Sequence, residues 1–454
     1  MRDPQLDTIG RYVTLQRGTT YKGTLVGKPG PALLGLGSIQ PGGGFREDHY
    51  KTYGGDCPSK MMLYPGDLYV SLKGATKDGE MIGSVARVPP SVESGRLTQD
   101  TVKLEFLSPD PELARYIYWV LRTPQYRAYC AGHATGSAVV ALSRHDFLSY
   151  PVPPHTSVRR SLVELLEAIE AKIEQNRRTN QTLEEMARAI FKSWFVDFDP
   201  VRAKAEGCKP AGTNEATAAL FPEWFEESEL GDIPRGWRAT TLGEEAQRCG
   251  GTIQTGPFGS QLHASDYVPE GIPVVMPKNI STRRVSTVDI ARIREQDAER
   301  LSRHRLKRGD VVYSRRGDVE RHALISDRES GWLCGTGCLL VRLGPGWFSP
   351  LFLSLALDRP ETRAWIVQHA IGATMPNLNT GILAAVPIVV PPNEIIKAFA
   401  EAADPLQILT VSTDAESGTL TSLRDTLLPR LLSGELTTQR AETDTEATAC
   451  LSTI

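Results

Sequence analysis

The sequence lacks the features of exported, membrane-spanning and disulfide-bonded proteins. No apolar run reaches the ~18 residues that a membrane helix needs, and the opening segment, MRDPQLDTIG, has no secretory leader pattern. The seven cysteines are an odd number without regular spacing, which favours reduced thiols. Cys334 and Cys338 are the only close pair, and no His or Cys cluster accompanies them. We therefore expect a cytoplasmic protein without a metal site.

The sequence also lacks common catalytic motifs. It has no P-loop, no Asn/Asp-Pro-Pro-aromatic segment of amine methyltransferases, and no three-glycine dinucleotide loop. Glu170 and Lys172 have the Glu-x-Lys spacing of some nucleases, but an ordinary solvated helix face explains them more simply. His133 and His369 recur at equivalent positions, and two copies of one structural histidine explain them better than two active sites. We predict no catalytic residue in this chain.

The chain repeats itself, and the repeat sets its organisation. Residues 64–74 align with residues 307–317, so that one set of matches recurs 243 residues later. A second set recurs 236 residues later, as Leu121, Pro124, His133, Gly136, Leu142 and Pro151 match Leu357, Pro360, His369, Gly372, Leu378 and Pro387. Each half then passes through a proline-rich exit into a helical stretch. A duplication of one globular unit and one helix is the simplest account.

Short apolar runs between Gly, Pro and Asp clusters indicate strands, and a helical pattern follows them in each half. We predict the α+β class, with two tandem α/β domains, each followed by a long helix, and the two helices pairing as an antiparallel coiled coil. The predicted boundaries are a first domain at 1–155, its helix at 156–198, a linker at 199–234, a second domain at 235–392, its helix at 393–436 and a disordered tail at 437–454.

The two helices carry apolar residues at alternating spacings of four and three, which is the pattern of a coiled-coil seam. The predicted seam contains Leu166, Ile169, Ile173, Asn176, Asn180 and Leu183 in the first helix and Leu406, Leu409, Leu420, Leu423 and Leu427 in the second. The two asparagines would fix the register. The alternative is that each helix packs separately on its own domain. Pro405 is predicted to lie in the first turn of the second helix, with Asp404 as its cap.

Positive charge is local in a chain whose net charge is −3. Residues 276–322 contain 13 basic and seven acidic residues, and 11 of the basic residues are arginine, which grips phosphate and reads guanine. A solvated charged face is the competing interpretation. The predicted DNA-binding residues of this stretch are Lys278, Arg283, Arg284, Arg303, Arg305, Arg315, Arg316 and Arg321.

The first half has a weaker basic signal. Lys51, Lys60, Lys73 and Lys77 lie around a glycine-rich segment, 42–45, and are the predicted DNA-binding residues of that half. Because the two halves share a repeat but differ in these segments, we expect them to bind different DNA sequences.

Several motifs resemble one known family. Residues 183–198, LEEMARAIFKSWFVDF, resemble the central conserved region of type I restriction-modification specificity subunits. Further segments resemble the second recognition domain and distal conserved region of that family: 255–260 (TGPFGS), 271–275 (GIPVV), 372–379 (GATMPNLN) and 423–436 (LRDTLLPRLLSGEL). Residues 138–143 of the first half depart from the Thr-Met-Pro-Asn-Leu-Asn form.

The resemblance implies a non-catalytic specificity subunit in a bacterial or archaeal cytoplasm. Each globular unit would be a target recognition domain that reads one half of a bipartite, asymmetric site in double-stranded DNA. The helices would space the domains and dock two methyltransferase subunits, which use S-adenosylmethionine, while motor-nuclease subunits use ATP and Mg. This chain would bind no cofactor itself.

The length of the first helix fits such a spacer. The span from Leu162 to Trp194 is ~50 Å as a helix, or roughly 15 base pairs of duplex, so separate readers would leave unread bases between half-sites. Two other functions stay open at this point: a standalone two-headed DNA-binding regulator, and an enzyme with a divergent active site. Tight DNA binding without a partner would favour the first, and S-adenosylmethionine turnover by the isolated chain the second.

Overall fold

The computed structural model describes residues 7–47, 50–74, 79–136, 140–347, 349–372 and 376–433. The chain forms two compact units: the first unit contains residues 1–175 and 416–454, and the second unit contains residues 176–415. The predicted tail and Lys77 lie outside the described residues. Within the described ranges, no helix is both long and apolar enough to cross a membrane.

The first unit combines small sheets with short helices. Its strands are β1 (Asp7–Thr8), β2 (Val13–Arg17), β3 (Ala32–Leu34), β4 (Lys51–Thr52), β5 (Met62–Leu63), β6 (Leu68–Ser71), β7 (Val85–Arg87), β8 (Gly95–Leu97), β9 (Thr101–Phe106) and β10 (Pro151–Val152). Its short helices are α1 (Pro111–Val120), α2 (Pro124–His133) and α3 (Arg144–Leu148). A long helix, α4 (Ser157–Phe195), follows.

The helices of the first unit begin where the sequence supplies caps. Asp110 accepts hydrogen bonds from the backbone N–H groups of the first turn of α1, and Thr123 caps α2 in the same way. A proline at the start of each helix has the backbone angle that a first turn needs. The buried faces then place Trp119 and Tyr126 in the core beside the sheet β2-β9-β6-β7.

Among the described residues, the second unit contains more elements than the first. They are α5 (Asp199–Ala205), α6 (Glu215–Leu220), β11 (Phe225–Ser228), β12 (Gly231–Pro234), β13 (Arg238–Thr241), α7 (Leu242–Arg248), β14 (Thr252–Thr255), β15 (Tyr267–Val275), β16 (Ala291–Ile293), α8 (Glu295–Arg300), β17 (Val311–Ser314), β18 (His322–Leu324), β19 (Leu333–Cys334), β20 (Cys338–Arg342), α9 (Pro350–Leu357), α10 (Pro360–His369), α11 (Thr380–Ala384) and β21 (Pro387–Val390). The second long helix, α12 (Asn393–Ser433), completes the described chain.

The two units have the same strand topology. The antiparallel sheet β2-β9-β6-β7 of the first unit corresponds to β14-β20-β17-β18 of the second. A parallel pair with an antiparallel neighbour also recurs, as β8-β3-β4 and β19-β15-β16. The strand before each repeat pairs with the strand before each long helix, β1 with β10 and β13 with β21. The predicted α+β repeat is therefore confirmed.

The two long helices pack together and run antiparallel. In the first unit, Leu166 and Ile169 of α4 share a core with Leu427 and Leu431 of α12. In the second unit, Phe191 packs edge-on against Phe399, with 6.1 Å between the ring centroids. The predicted pairing of the helices is confirmed.

The side of α12 that faces α4 differs from the predicted seam at alternate positions. Leu427 is buried and Leu406 is half-buried, but Leu409 and Leu423 are 46% and 40% exposed. Thr410, one position along, is buried in place of Leu409, and its hydroxyl donates to the Leu406 carbonyl at 2.9 Å. The internal hydrogen bond lets a polar residue occupy a buried helix position, which an apolar periodicity cannot reveal.

Two further predictions differ from the structure. The second long helix does not begin at Pro405, because Ile396 and Phe399 bury the preceding turns in the core of the second unit and outweigh the cost of an internal proline. Asp404 is not a cap, and its carboxylate accepts a hydrogen bond from Ser349. The predicted linker at 199–234 is a folded part of the second unit, since Phe221 packs on Trp194 with 5.2 Å between the ring centroids.

Glu170 also differs from its predicted setting on a solvated face. Its carboxylate accepts from Arg122 at 3.1 Å and from Arg424 at 3.3 Å, all within the first unit. Burial alone would raise the pKa of Glu170, but the two arginines hold it below its usual value. Lys172 points to Glu416 instead, so the nuclease-like spacing places no acid and base together.

Candidate nucleic-acid interface

One edge of the main sheet in the second unit collects the loops that follow or precede its four strands. Strand pairing places Thr255, Ser314, His322 and Cys338 at this edge. The loops that meet there are 256–262, 315–321 and 335–337, together with the turn 276–279 and the segments 371–372 and 376–378. We call this set the loop edge of the second unit.

Backbone hydrogen bonds join these loops. The Arg315 N–H donates to the Gly337 carbonyl at 2.8 Å, and the Leu378 N–H donates to the Arg315 carbonyl at 2.8 Å. The Gly317 N–H donates to the Pro376 carbonyl at 3.2 Å. The basic loop is therefore held on both sides and presents its side chains from a fixed backbone.

Two backbone segments approach each other closely at Gly256, a residue of the loop edge, and leave no room for a side chain there. A Cβ on Gly256 would lie 2.0 Å from the Gly335 carbonyl oxygen, and in the first unit a Cβ on Gly18 would lie 2.0 Å from the Thr98 carbonyl oxygen. Only glycine fits at either position. The equivalence shows that the duplication extends to the loops as well as the strands.

Four of the predicted DNA-binding residues lie at the loop edge of the second unit. Lys278, Arg316 and Arg321 are exposed, and Arg315 is half-buried. Arg321 forms an exposed ion pair with Asp318 at 3.1 Å. Arg303 is also exposed, and its carbonyl accepts from the Gln254 side chain at the end of β14. The structure thus brings together five basic side chains that are spread over 44 residues of sequence.

The remaining three predicted residues are held by the protein. Arg283 is 7% exposed and donates to the Ser354 hydroxyl at 3.1 Å, and burial, with Arg188, lowers its pKa to about 10. Arg284 donates to acidic residues of the second unit. Arg305 pairs with Glu295. Sequence composition cannot show where a side chain points, and burial corrects the DNA-contact prediction for Arg283.

The first unit has a matching loop edge at 72–74, 98–100, 135–136 and 140–142. The Leu142 N–H donates to the Leu72 carbonyl at 2.9 Å, and the Gly74 N–H donates to the Val140 carbonyl at 2.8 Å. These bonds correspond to those around Arg315 and Gly317. The same frame therefore carries a different set of side chains.

The predicted lysines of the first unit do not cluster at this edge. Lys73 lies there, in the position equivalent to Arg316, and pairs with Asp100 at 3.2 Å. Lys51 is exposed on β4, and Lys60 is exposed in a 3-10 turn before β5. Of the described lysines among these predictions, only Lys73 is part of the loop edge.

Phe258 was not predicted as a contact residue, although its motif was recognised. It lies in the loop 256–262 after β14 and is 51% exposed. An exposed aromatic ring can contact the thymine methyl group or stack on a base. Its position between a proline and a glycine was the available signal.

His133 and His369 occupy equivalent positions at the ends of α2 and α10. Each ring lies on an aromatic ring one turn earlier, Tyr129 at 3.9 Å and Trp365 at 3.8 Å between centroids. Each Nδ1 lies within hydrogen-bond distance of the carbonyl four residues earlier. Within the described ranges, no cluster of three or more His, Cys, Asp or Glu residues could hold a metal ion.

Known proteins of one class are similar to this chain. The type I restriction enzyme HindI specificity subunit of Haemophilus influenzae is 28% identical over 324 residues, which cover 62% of this chain and 68% of that protein. The MjaIX specificity subunit of Methanocaldococcus jannaschii is 22% identical over 333 residues, which cover 72% of this chain and 70% of that protein. No family model matches the chain.

A solved structure supports the fold. The S subunit of a type I restriction-modification system from M. genitalium superposes with a TM-score of 0.54 and 14% identity, over 95% of this chain and 97% of that one. The sequence relatives confirm the resemblance to type I specificity subunits that the motifs indicated. The solved structure confirms the fold.

Proposed function

We propose that this chain is the DNA specificity subunit of a type I restriction-modification complex. Each unit would read one half of a bipartite, asymmetric site in double-stranded DNA. The paired helices would dock two methyltransferase subunits, and motor-nuclease subunits would join for cleavage. The chemistry would belong to those partners, which would bind S-adenosylmethionine, ATP and Mg, whereas this chain would contribute no catalytic residue.

The observation that carries the proposal is the pair of matched loop edges with unmatched side chains. The backbone bonds around Leu72 and Gly74 correspond to those around Arg315 and Gly317. The side chains at the equivalent positions differ, since Lys73 carries an ammonium group paired with Asp100 and Arg316 carries a planar guanidinium. A duplicated frame with diverged loop side chains is suited to reading two different sequences. A single active site would give no reason for two such edges.

The second unit has suitable chemistry for the major groove. Arg316 is exposed on the loop between β17 and β18, where a guanidinium can donate two hydrogen bonds to guanine. Arg321, exposed on the same loop, would exchange its ion pair with Asp318 for DNA. Lys278 lies in the turn 276–279 and Arg303 next to the end of β14, and both would bind phosphates, which position the protein without reading sequence. Phe258 would supply an apolar contact.

The helix pair offers exposed apolar residues that its own packing does not use. Ile408 and Leu409 are 56% and 46% exposed in the second unit, and Leu423 is exposed in the first. Exposed apolar positions on a helix pair are suited to a protein partner. We assign them to methyltransferase docking.

Mapping of methylated adenines tests the proposal directly. A restriction-deficient host would carry this gene with its methyltransferase gene, and its genome would be sequenced with a modification-sensitive method. We expect one bipartite motif with a fixed unread gap. Tight sequence-specific DNA binding by the chain without any methyltransferase partner would favour a standalone regulator, and methylation at a single continuous motif would contradict the two-reader proposal.

A further inference from the structure

Arg284 connects a turn of the second unit to both long helices. The turn runs from Ile280 to Val285, which face each other in an isolated bridge. The Nη1 group of Arg284 donates to Oδ2 of Asp414 in α12 at 2.6 Å, and its Nη2 group donates to Glu184 in α4. One guanidinium therefore binds both helices, with one terminal nitrogen on each.

The acid that Arg284 binds in α12 also belongs to the polar part of the helix interface. The Asn180 side-chain amide donates to Oδ1 of Asp414 at 2.6 Å, and the Thr413 hydroxyl donates to the Asn180 carbonyl oxygen. Asn176 and Asn180 are 2% and 4% exposed. Buried polar pairs in a coiled coil select one register, because any other register leaves their groups unpaired.

The other side of the same turn is joined to the loop edge. The Asn279 side-chain amide donates to the Ser286 and Val288 carbonyls at 3.1 and 3.2 Å, which holds the turn onto the loop that follows. Pro277 lies 3.3 Å from the position of a Cβ on Gly337, a residue of the loop edge. The turn thus reaches from the loops to the helices.

Arg283 stiffens the turn between these two ends. Its backbone has a φ of 59°, its N–H donates to the His322 carbonyl at 2.9 Å, and its buried side chain donates to Ser354. Consecutive arginines therefore point in different directions, one into the core of the unit and one onto the helix pair.

We propose that Arg284 is a positioning residue that ties the loop edge of the second unit to the register of the helix pair, and so sets the length of the unread gap. The inference rests on the proposed function, because a gap exists only if the chain reads a bipartite site. The geometry of Arg284 argues against a DNA contact, since both terminal nitrogens of its guanidinium are already bonded to carboxylates. Asp414 is the shared member, and a change there affects the helix register and the turn together.

The test is methylation of a DNA library in which both half-sites are constant and the gap varies in length. The complex of this chain with its methyltransferase would be compared with the same complex carrying Arg284→Ala or Glu184→Gln. We expect the preference for the native gap over a gap one base pair longer or shorter to fall about tenfold for Arg284→Ala, which corresponds to about 1.4 kcal/mol. Glu184→Gln removes the charge of one partner but keeps an accepting oxygen, so it should lower the gap preference less. The half-site sequences should stay the same.

Matched variants separate positioning from other roles. Arg328→Ala removes an exposed arginine whose acidic neighbour is Glu329, and it should leave gap preference unchanged. Arg284→Lys keeps the charge but cannot span both acids, so it should recover only part of the preference. Because Arg284 and Glu184 act through one interaction, the double variant should lose no more than Arg284→Ala alone.

Each outcome decides between explanations. If Arg284→Ala weakens binding equally at every gap and lowers the salt dependence by about one phosphate contact, while Glu184→Gln strengthens binding, Arg284 is a DNA contact and the inference fails. Unchanged gap preference in Arg284→Ala also overturns it. If the wild-type complex shows no bipartite site at all, the proposed function itself fails.

Discussion

The two units share one strand topology but differ in the ion pairs that join the globular part to α4. In the first unit, arginines of the globular part bind acids of α4, since Arg87 pairs with Glu167 at 2.9 Å and Arg122 with Glu170 at 3.1 Å. In the second unit, a basic residue of α4 also binds an acid of the globular part, since Arg188 of α4 pairs with Asp358 at 3.1 Å. Duplication preserved the backbone frame, whereas ion pairs changed freely around it.

The loop edges show the same division. Their backbone hydrogen bonds match, but the second edge exposes several arginines and the first has Lys73 beside Asp100. A frame that tolerates such exchange suits a protein whose loops must diverge while its fold stays constant. The differences between the units can be tested separately.

The largest expected effect is on the first unit, from Arg122→Ala. Arg122 is 7% exposed, donates to Tyr118 at 3.0 Å and to Glu170, and lies 4.5 Å from the Trp119 ring centroid. Removing one partner of a buried pair leaves the other without full compensation, so we expect a loss of about 3 kcal/mol. Hydrogen exchange of the first unit measures the change.

Arg160→Ala is the control for this variant. Arg160 forms an exposed ion pair with Glu112, and such pairs contribute about 0–1 kcal/mol. Equal losses in the two variants would contradict the buried role of Arg122.

The next effect is acid sensitivity of the second unit. Burial and Arg283 lower the pKa of His322 to about 3, whereas an unfolded histidine titrates near ~6.5. Between these values the unfolded state binds the extra proton, so stability is full above pH ~6.5 and falls as the pH drops. By pH 5 we expect His322 alone to account for a loss of about 2 kcal/mol.

Hydrogen exchange at pH 7 and pH 5, corrected for intrinsic rates, compares the two units. Arginines hold the pKa of Glu170 below its usual value, so its contribution in the first unit persists at pH 5. His322→Asn should reduce the loss between pH 7 and pH 5 in the second unit, and the part that remains is expected from His304, whose pKa burial lowers to about 4. A loss of the same size in that variant would show that another group is responsible.

A smaller effect is expected on DNA affinity, and it should differ between equivalent positions. Arg316→Ala should weaken binding of the assembled complex by about 1.5 kcal/mol. Lys73→Ala should weaken it less, because Asp100 already neutralises Lys73. Fluorescence anisotropy at one fixed salt concentration measures both, and equal losses would remove the distinction between the edges.

The smallest effect is expected for Leu409→Ala. Leu409 is 46% exposed, so its truncation should change the free energy of unfolding by less than about 0.5 kcal/mol. Leu427→Ala, at a buried position, should cost about 2 kcal/mol or more. Chemical denaturation measures both, and a large cost for Leu409 would restore it to the helix interface.

The sequence predicted the repeat and the paired helices because both rest on spacing, which a fold must respect. Of the residues predicted for the seam, Leu427 is buried in the core that contains Leu166, whereas Leu409 is exposed, since Thr410 satisfies its hydroxyl within the helix and can be buried. Composition predicted a linker at 199–234, but Phe221 packs on Trp194. A count of charges placed Arg283 among the DNA contacts, but its side chain is buried. The sequence could not show this, because the direction of that side chain depends on the folded turn.

Exchange of one recognition unit is the most direct test of the central claim. Residues 235–392 would be replaced by the equivalent unit of a relative with a known different site, and the methylated sites of the host genome would be sequenced. The two-reader account predicts that one half-site changes, while the other half-site and the gap length stay constant. A change in both half-sites would contradict it.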